Sequence, residues 1–280
     1  GKKVIGLTMY GTTTPGVSEA RRLIEQQGYE TWVFHASGVG GRTMERLMEM
    51  GRIDAVMDMT LAEIGAHLVG GLHDAGPDRL AMAGKLGLPQ LIVPGACDTI
   101  VLPPRDQVPE RFQNRTLNYH NPTMTTMRTS VDENITIARF IAEKLNQATG
   151  AVTVLLPRGG LSSIDRPGKI FYDPNANEAL FTTLRAELSP SIPVYEDDRH
   201  IDDADFANQW ARSRHLHAGK GKRAIALELR RKGIDADDAA AALEQIDTAD
   251  ERERAIELVR KKLRTQPPLP TEGDRREIAA

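Results

Sequence analysis

Five short, unbroken runs of apolar and β-branched residues constrain this chain more than anything else in it. They are Val4-Ile5-Gly6-Leu7-Thr8, Thr31-Trp32-Val33-Phe34, Ala55-Val56-Met57-Asp58, Gln90-Leu91-Ile92-Val93 and Val152-Thr153-Val154-Leu155-Leu156. An alternating run marks a strand with one wet face, whereas an unbroken run marks a strand covered on both faces. Between most of them lie stretches with helical spacing, as at Ala20, Leu23, Ile24 and Leu47. The pattern predicts a Rossmann-like α/β domain, a parallel sheet covered by helices. Ligand sites in such sheets lie beyond the carboxyl ends of the strands. The residues that follow each run are therefore the ones to read for chemistry.

Composition then divides the chain. Of 24 glycines, 20 precede residue 200, and of 16 prolines, 13 precede residue 194. The stretch from Val194 to Gln266 has no proline and is rich in Ala, Leu, Glu, Arg and Lys, the strong helix formers. The sequence thus predicts an α/β domain over 1–198, a small all-α helical-repeat domain over 199–265 and a disordered tail over 266–280. A net charge of −3 excludes a chain that is basic or acidic throughout. The single cysteine, Cys97, excludes an intramolecular disulfide, and no Cys/His spacing suggests a metal. No apolar run is long enough for a bilayer, and the start lacks a signal peptide's apolar region, so a cytoplasmic protein is expected.

The strand-end loops supply the candidate site. After the first run, Thr12, Thr13 and Thr14 lead into a helix with Pro15. These hydroxyls and free amides suit an anion, or Thr14 is simply an N-cap with Pro15 at N1. After the second, His35 precedes Gly38, Gly40 and Gly41. Glycines at a helix start imply a close backbone approach, with an anion or phosphoryl group the natural guest. His35 is either a site group or a satisfied strand-end histidine. The third run ends in Asp58 and Thr60. Thr60-x-x-Glu63 reads as a capping box, as does Ser130-x-x-Glu133, which leaves Asp58 as the functional carboxylate of that loop. Gly95 and Asp98, His120 and Asn121, and Ser162 and Asp165 complete the candidates. Cys97 has no adjacent base and reads as an inert buried thiol. Without a Walker lysine, a G-x-G-x-x-G or a serine elbow, the residues alone name no cofactor and leave open whether the domain is an enzyme.

Certain of these segments occur together in a known family. Gly11-Thr12-Thr13-Thr14-Pro15, Phe34-His35-Ala36-Ser37-Gly38-Val39-Gly40-Gly41-Arg42, Gly76-Pro77-Asp78-Arg79-Leu80 and Pro94-Gly95-Ala96-x-Asp98 resemble the uncharacterised tobamovirus-resistance-like family, the Tm-one-like ATP-binding proteins. Arg105-Asp106, His120-Asn121-Pro122, Met127-Arg128-Thr129, Asp165-x-Pro167-Gly168 and Phe171-Tyr172-Asp173-Pro174 follow in order. The resemblance covers about 3–200. It implies a two-domain α/β protein of which this segment resembles the second domain, the nucleotide-binding activity belonging to the first. It implies no reaction.

Beyond residue 200 the period becomes helical: Phe206 with Trp210, Ile225 with Leu229, Ala239 with Leu243 and Ile246, Val259 with Leu263. Arg212, Arg214, Lys220, Lys222, Arg223, Arg230, Arg231 and Lys232 concentrate positive charge ahead of an acidic stretch. That is either a solvated face or a contact for nucleic-acid phosphates or a nucleoprotein filament. No aromatic platform accompanies it, which argues against single-strand readout. Asp202-Asp203-Ala204-x-Phe206-Ala207-x-x-Trp210-x-Arg212-Ser213-Arg214, Gly219-Lys220-Gly221-Lys222-Arg223 and Glu228-Leu229-Arg230-x-Lys232-Gly233-Ile234 resemble RecX, the regulator of the recombinase RecA. That resemblance implies non-catalytic regulation through the RecA filament as partner. The first helical unit expected of RecX is replaced upstream by the α/β module. Two functions are therefore expected from two parts: filament regulation from the tail, and binding of a small nucleotide- or carboxylate-like anion by the α/β domain.

Overall fold

The computed structural model describes residues 1–197, and Ala240 alone beyond them. Contacts divide the chain into two compact units, Gly1–Asp202 and Asp203–Ala280; only the first is described below. The helical repeats, the tail and the basic residues from Arg212 to Lys232 lie outside the described residues.

All five apolar runs form strands of one parallel sheet: β1 (Val4–Met9), β2 (Glu30–His35), β3 (Ala55–Asp58), β4 (Gln90–Ile92) and β8 (Val152–Pro157). A sixth strand, β9 (Val194–Asp197), closes the order β2-β1-β3-β4-β8-β9. Every pairing in it is parallel, with Leu7 opposite both Val33 and Met57, and Asp58 opposite Ile92. In β1 the consecutive Gly6, Leu7 and Thr8 are all buried, so both faces of that strand are covered, as an unbroken run requires. The edge strand β9 has Tyr195 and Glu196 exposed, which is why its apolar signal is weak.

Helices α1 (Thr14–Gln26), α2 (Val39–Glu49), α3 (Ala62–Val69), α4 (Ala81–Lys85), α5 (Val131–Asn146) and α6 (Pro174–Glu187) cover the sheet. One core joins Leu61 and Ile64 with Ile137, Ile141 and Leu145 of α5, Val152, Val154 and Leu156 of β8, and Leu180 and Leu184 of α6. A second joins Met44 and Met48 of α2 with Ile53, Val56 and Ala83. Burying such side chains stabilises by about 1.5–3 kcal/mol each.

Between β4 and α5 the chain forms a separate antiparallel sheet of β5 (Thr99–Leu102), β6 (Leu117–Asn121) and β7 (Met124–Arg128), in the order β5-β7-β6. Ile100, Leu102, Val108, Phe112 and Met127 form its own core. The sequence reading of one parallel sheet omitted this insertion. Its strands are only four or five residues long, and β6 is polar and largely exposed, so Thr99–Leu102 is the single short apolar run among them. Among the described residues no helix is long and apolar enough to cross a membrane.

Candidate functional site

The strand order reverses between β1 and β3, where the chain proceeds to β2 on one side and to β3 and β4 on the other. Sheets of this order take ligands at that switch point. Here the crevice is filled from within. Asp58, at the end of β3, accepts from Thr8 Oγ1 at 2.6 Å and takes both terminal nitrogens of Arg79, at 2.5 and 2.8 Å. Thr60 donates its amide to Thr8 Oγ1, and its hydroxyl lies 2.8 Å from that of Thr13. Arg79 Nε donates to Glu63 at 2.8 Å, and Glu45 lies 3.4 Å from the same guanidinium. Asp58, Thr60, Glu63 and Arg79 are all at most 1% exposed. Burial works against the charge on Arg79, but the three carboxylates outweigh it and push its pKa well up. Asp58, the functional candidate of its loop, is thus half of a bidentate buried ion pair.

Glu63 overturns two further expectations. Helix α3 begins at Ala62 behind Leu61, with no side-chain cap, so Thr60-x-x-Glu63 is not a capping box. Glu63 Oε1 instead accepts from the amides of Gly38 and Gly41, at 2.6 and 3.0 Å. The anion predicted for the glycine loop at the start of α2 is therefore the protein's own carboxylate, tied to Arg79. The glycines serve close approach, as expected, but to protein atoms. A Cβ on Gly41 would fall inside the Glu63 carboxylate, and one on Gly40 inside the His35 carbonyl; Gly38 has φ +87°. A gap of two residues between Thr60 and Glu63 satisfied the motif, and only the fold shows which helix the glutamate serves. The second box holds: Ser130 Oγ accepts from Glu133 N, and Glu133 from Ser130 N.

At the start of α1 the cap is Thr13 rather than Thr14. The hydroxyls of Thr13 and Thr14 both donate back to the Tyr10 carbonyl. Thr12 Oγ1 is buried without a hydrogen-bond partner.

A second polar cluster lies at the ends of β4 and β8. Asp98 is wholly buried; its Oδ2 accepts from Ser162 Oγ at 2.7 Å and Thr99 Oγ1 at 3.1 Å, and its Oδ1 has no partner. Asp165, equally buried, accepts from Leu161 N at 3.0 Å and Asn177 Nδ2 at 2.8 Å, and lies 3.7 Å from Arg128. Burial, then the neighbouring Asp98, pushes the Asp165 carboxyl up to about 7, against partial relief from Arg128. Burial likewise pushes Asp98 up. Burial thus favours the protonated form of both carboxyls. Thr12 is stitched to the cluster through its carbonyl, which accepts from Ser163 N at 3.0 Å. Gly95 admits the Met59 carbonyl where a Cβ would not fit, and the Ala96 amide donates to Leu161 O. Arg128 ties the antiparallel insertion to α6 and the loop before it, donating to Phe171 O, Thr129 and Asn177 Oδ1.

The cluster adjoins a cavity of about 320 Å³ whose wall includes Arg158, Tyr172, Asn177, Glu178 and Phe181. Asn177 is the shared residue: it lines the cavity and donates to Asp165. Arg158 sits in exposed pairs with Glu178 at 2.8 Å and Glu196 at 3.6 Å.

Of the predicted residues, Thr12, Gly95, Asp98, Ser162 and Asp165 come together; Thr13, Asp58 and Thr60 join the buried network at the switch point. His35 is exposed at the end of β2, its ring against Tyr10. His120 and Asn121 are exposed on β6, and Asn121 accepts from Thr123 within its own turn. They belong to the hairpin and not to the cluster. Cys97 is buried, and burial raises its pKa, so it is the inert thiol expected. Arg79, Arg128 and Asn177 were not singled out as site residues. An arginine is read as a surface residue unless its carboxylates are known, and those lie far away in sequence. Among the described residues no cluster of acidic, histidine or cysteine side chains could hold a metal ion.

Residues 202–243 match the second three-helix domain of RecX. The chain is 43% identical over 212 residues to a UPF0261 protein of Clostridium tetani, covering 75% of this chain and 52% of that one. It is 42% identical over 210 residues to the tomato (Solanum lycopersicum) ToMV resistance protein Tm-1(GCR237), covering 74% of this chain and 28% of that one. A UPF0261 protein of Mesorhizobium japonicum is 38% identical over 213 residues, at 75% and 53% coverage. The chain thus spans about half the length of these bacterial relatives. Residues 2–216 match the C-terminal domain of the uncharacterised protein family UPF0261, and the chain belongs to that family.

Proposed function

We propose that the α/β domain binds a small carboxylate-bearing molecule in the cavity beside Asn177, with binding linked to the proton held by Asp98 and Asp165. One observation carries the reading: Asn177 forms the cavity wall and also donates to Asp165, whose neighbour Asp98 keeps an unfilled buried oxygen. The volume suits a compact ligand. Arg158 supplies a cation from exposed pairs, which are worth about 0–1 kcal/mol, so it is free to exchange them for a ligand carboxylate. The acid pair supplies or accepts a proton, which is also what acid–base catalysis on such a ligand would require.

The test is calorimetry of the full chain with a panel of small carboxylates, inorganic phosphate and nucleotides, in buffers of differing ionisation enthalpy. A carboxylate hit with proton exchange, weakened about tenfold in Arg158→Gln and uncoupled from the proton in Asp165→Asn, is the expected result. Binding of no carboxylate, or binding unaltered in both variants, would contradict the reading.

A second reading is favoured by the RecX match at 202–243. In it the basic residues Arg212, Arg214, Lys220, Lys222, Arg223, Arg230, Arg231 and Lys232 dock onto the RecA filament and restrain it without catalysis. Inhibition of RecA ATPase by the full chain, relieved by neutralising Arg212, Arg214, Lys222 and Arg223, supports it. Unchanged ATPase at saturating protein sinks it.

A further inference from the structure

On the β1–β2 side of the sheet end, three titratable side chains meet that neither the buried network nor the acid pair uses. Tyr10 follows β1, His35 ends β2 and His73 lies in the loop after α3. The rings of His35 and His73 stand 5.3 and 5.7 Å from that of Tyr10, and the Tyr10 hydroxyl lies 3.3 Å from His73 Nδ1.

The backbone places this trio. Leu72 N donates to Val101 O, and Arg42 donates to the Asp74 carbonyl, so His73 is held from both sides. Gly38 lets that segment approach: a Cβ there would come within 2.7 Å of the Asp74 carbonyl. Burial keeps the Tyr10 phenol protonated, its pKa pushed up to about 12. Between a neutral phenol and a neutral imidazole, the phenol is the stronger acid and the imidazole nitrogen the stronger base. The hydroxyl therefore donates to Nδ1, and the His73 proton sits on Nε2. The carboxylates on this side are already engaged: Glu63 by two amides and Arg79, Asp74 by His67 and the Gly76 amide.

We propose that His35 and His73 form an oxyanion site, for a phosphoryl or carboxylate group, in which Tyr10 is the positioning residue that fixes His73 as an Nε2–H donor. It is separate from the cavity beside Asn177 and has its own test. In ¹⁵N-correlated spectra of the full chain, His73 shows the Nε2–H tautomer. Inorganic phosphate, against chloride at equal ionic strength, shifts the ring signals of both His35 and His73 with saturation. His35→Ala and His73→Gln each weaken that binding about tenfold, as expected for losing a charge-assisted hydrogen bond. Tyr10→Phe keeps the ring but relaxes the tautomer and weakens binding. An Nδ1–H tautomer in the wild type overturns the positioning role. Non-saturating shifts, or shifts confined to other residues, overturn the site.

Discussion

Arg79 shows how a buried charge can be structural while looking functional. It is 1% exposed and faces Asp58, Glu63 and Glu45. Arg79→Met leaves these carboxylates without their cation, and removing one partner of a buried pair costs about 3–5 kcal/mol. Urea unfolding is expected to show a loss in that range. Asp165 carries a pH signature of its own. In the folded chain it keeps its proton up to about pH 7, against 3.8 ordinarily. The folded state thus binds the extra proton between those values, and stability falls as pH rises from about 4 to about 7. At about 1.4 kcal/mol per pH unit this is on the order of 4 kcal/mol across the interval. Asp165→Asn is expected to flatten that part of the stability–pH curve; an unchanged slope would place the proton elsewhere.

At the scale of elements, legibility followed the source of the signal. The five runs announced their strands because apolar and β-branched residues follow one another in each, with consecutive residues of β1 buried on both faces. The Ser130 box was readable because both partners lie within one turn, and Ser130→Ala is expected to cost about 1 kcal/mol by thermal or urea unfolding. The Thr60–Glu63 box had the same spacing and was false, because the amides of Gly38 and Gly41 compete for the glutamate from 22 to 25 residues away. No local pattern records that. Gly38, Gly40 and Gly41 at the start of α2 were legible as a close approach but not as an approach to Glu63. Gly41→Ala puts a methyl into that carboxylate and is expected to destabilise by about 1–3 kcal/mol, whereas Gly11→Ala, with open space around it, has little effect. The antiparallel insertion escaped notice for a different reason. Its strands are four or five residues long and, β5 apart, rich in polar residues, so their apolar signal is too short to stand out.

For the whole molecule, one architectural rule and its exception shape the account. A doubly wound sheet offers a crevice where its strand order reverses, and this chain closes that crevice with Thr8, Asp58, Thr60 and Arg79. Polar groups gather instead to either side: toward β4 and β8, where burial favours protonation of Asp98 and Asp165 near a cavity, and toward β2, where two histidines flank Tyr10. Asp98 and Asp165 were legible as candidates because they follow strand ends. Their partnership was not, since it depends on the return of the chain through β8 and on Arg128 from the inserted sheet. The partnership is also the most direct thing to measure. In the full chain, ¹³C-carboxyl titration of Asp165 is expected to give a midpoint near 7 that moves down in Asp98→Asn, because the neighbouring charge is removed. A midpoint near 4, unmoved by that substitution, would contradict the proton-holding pair and the ligand reading built on it.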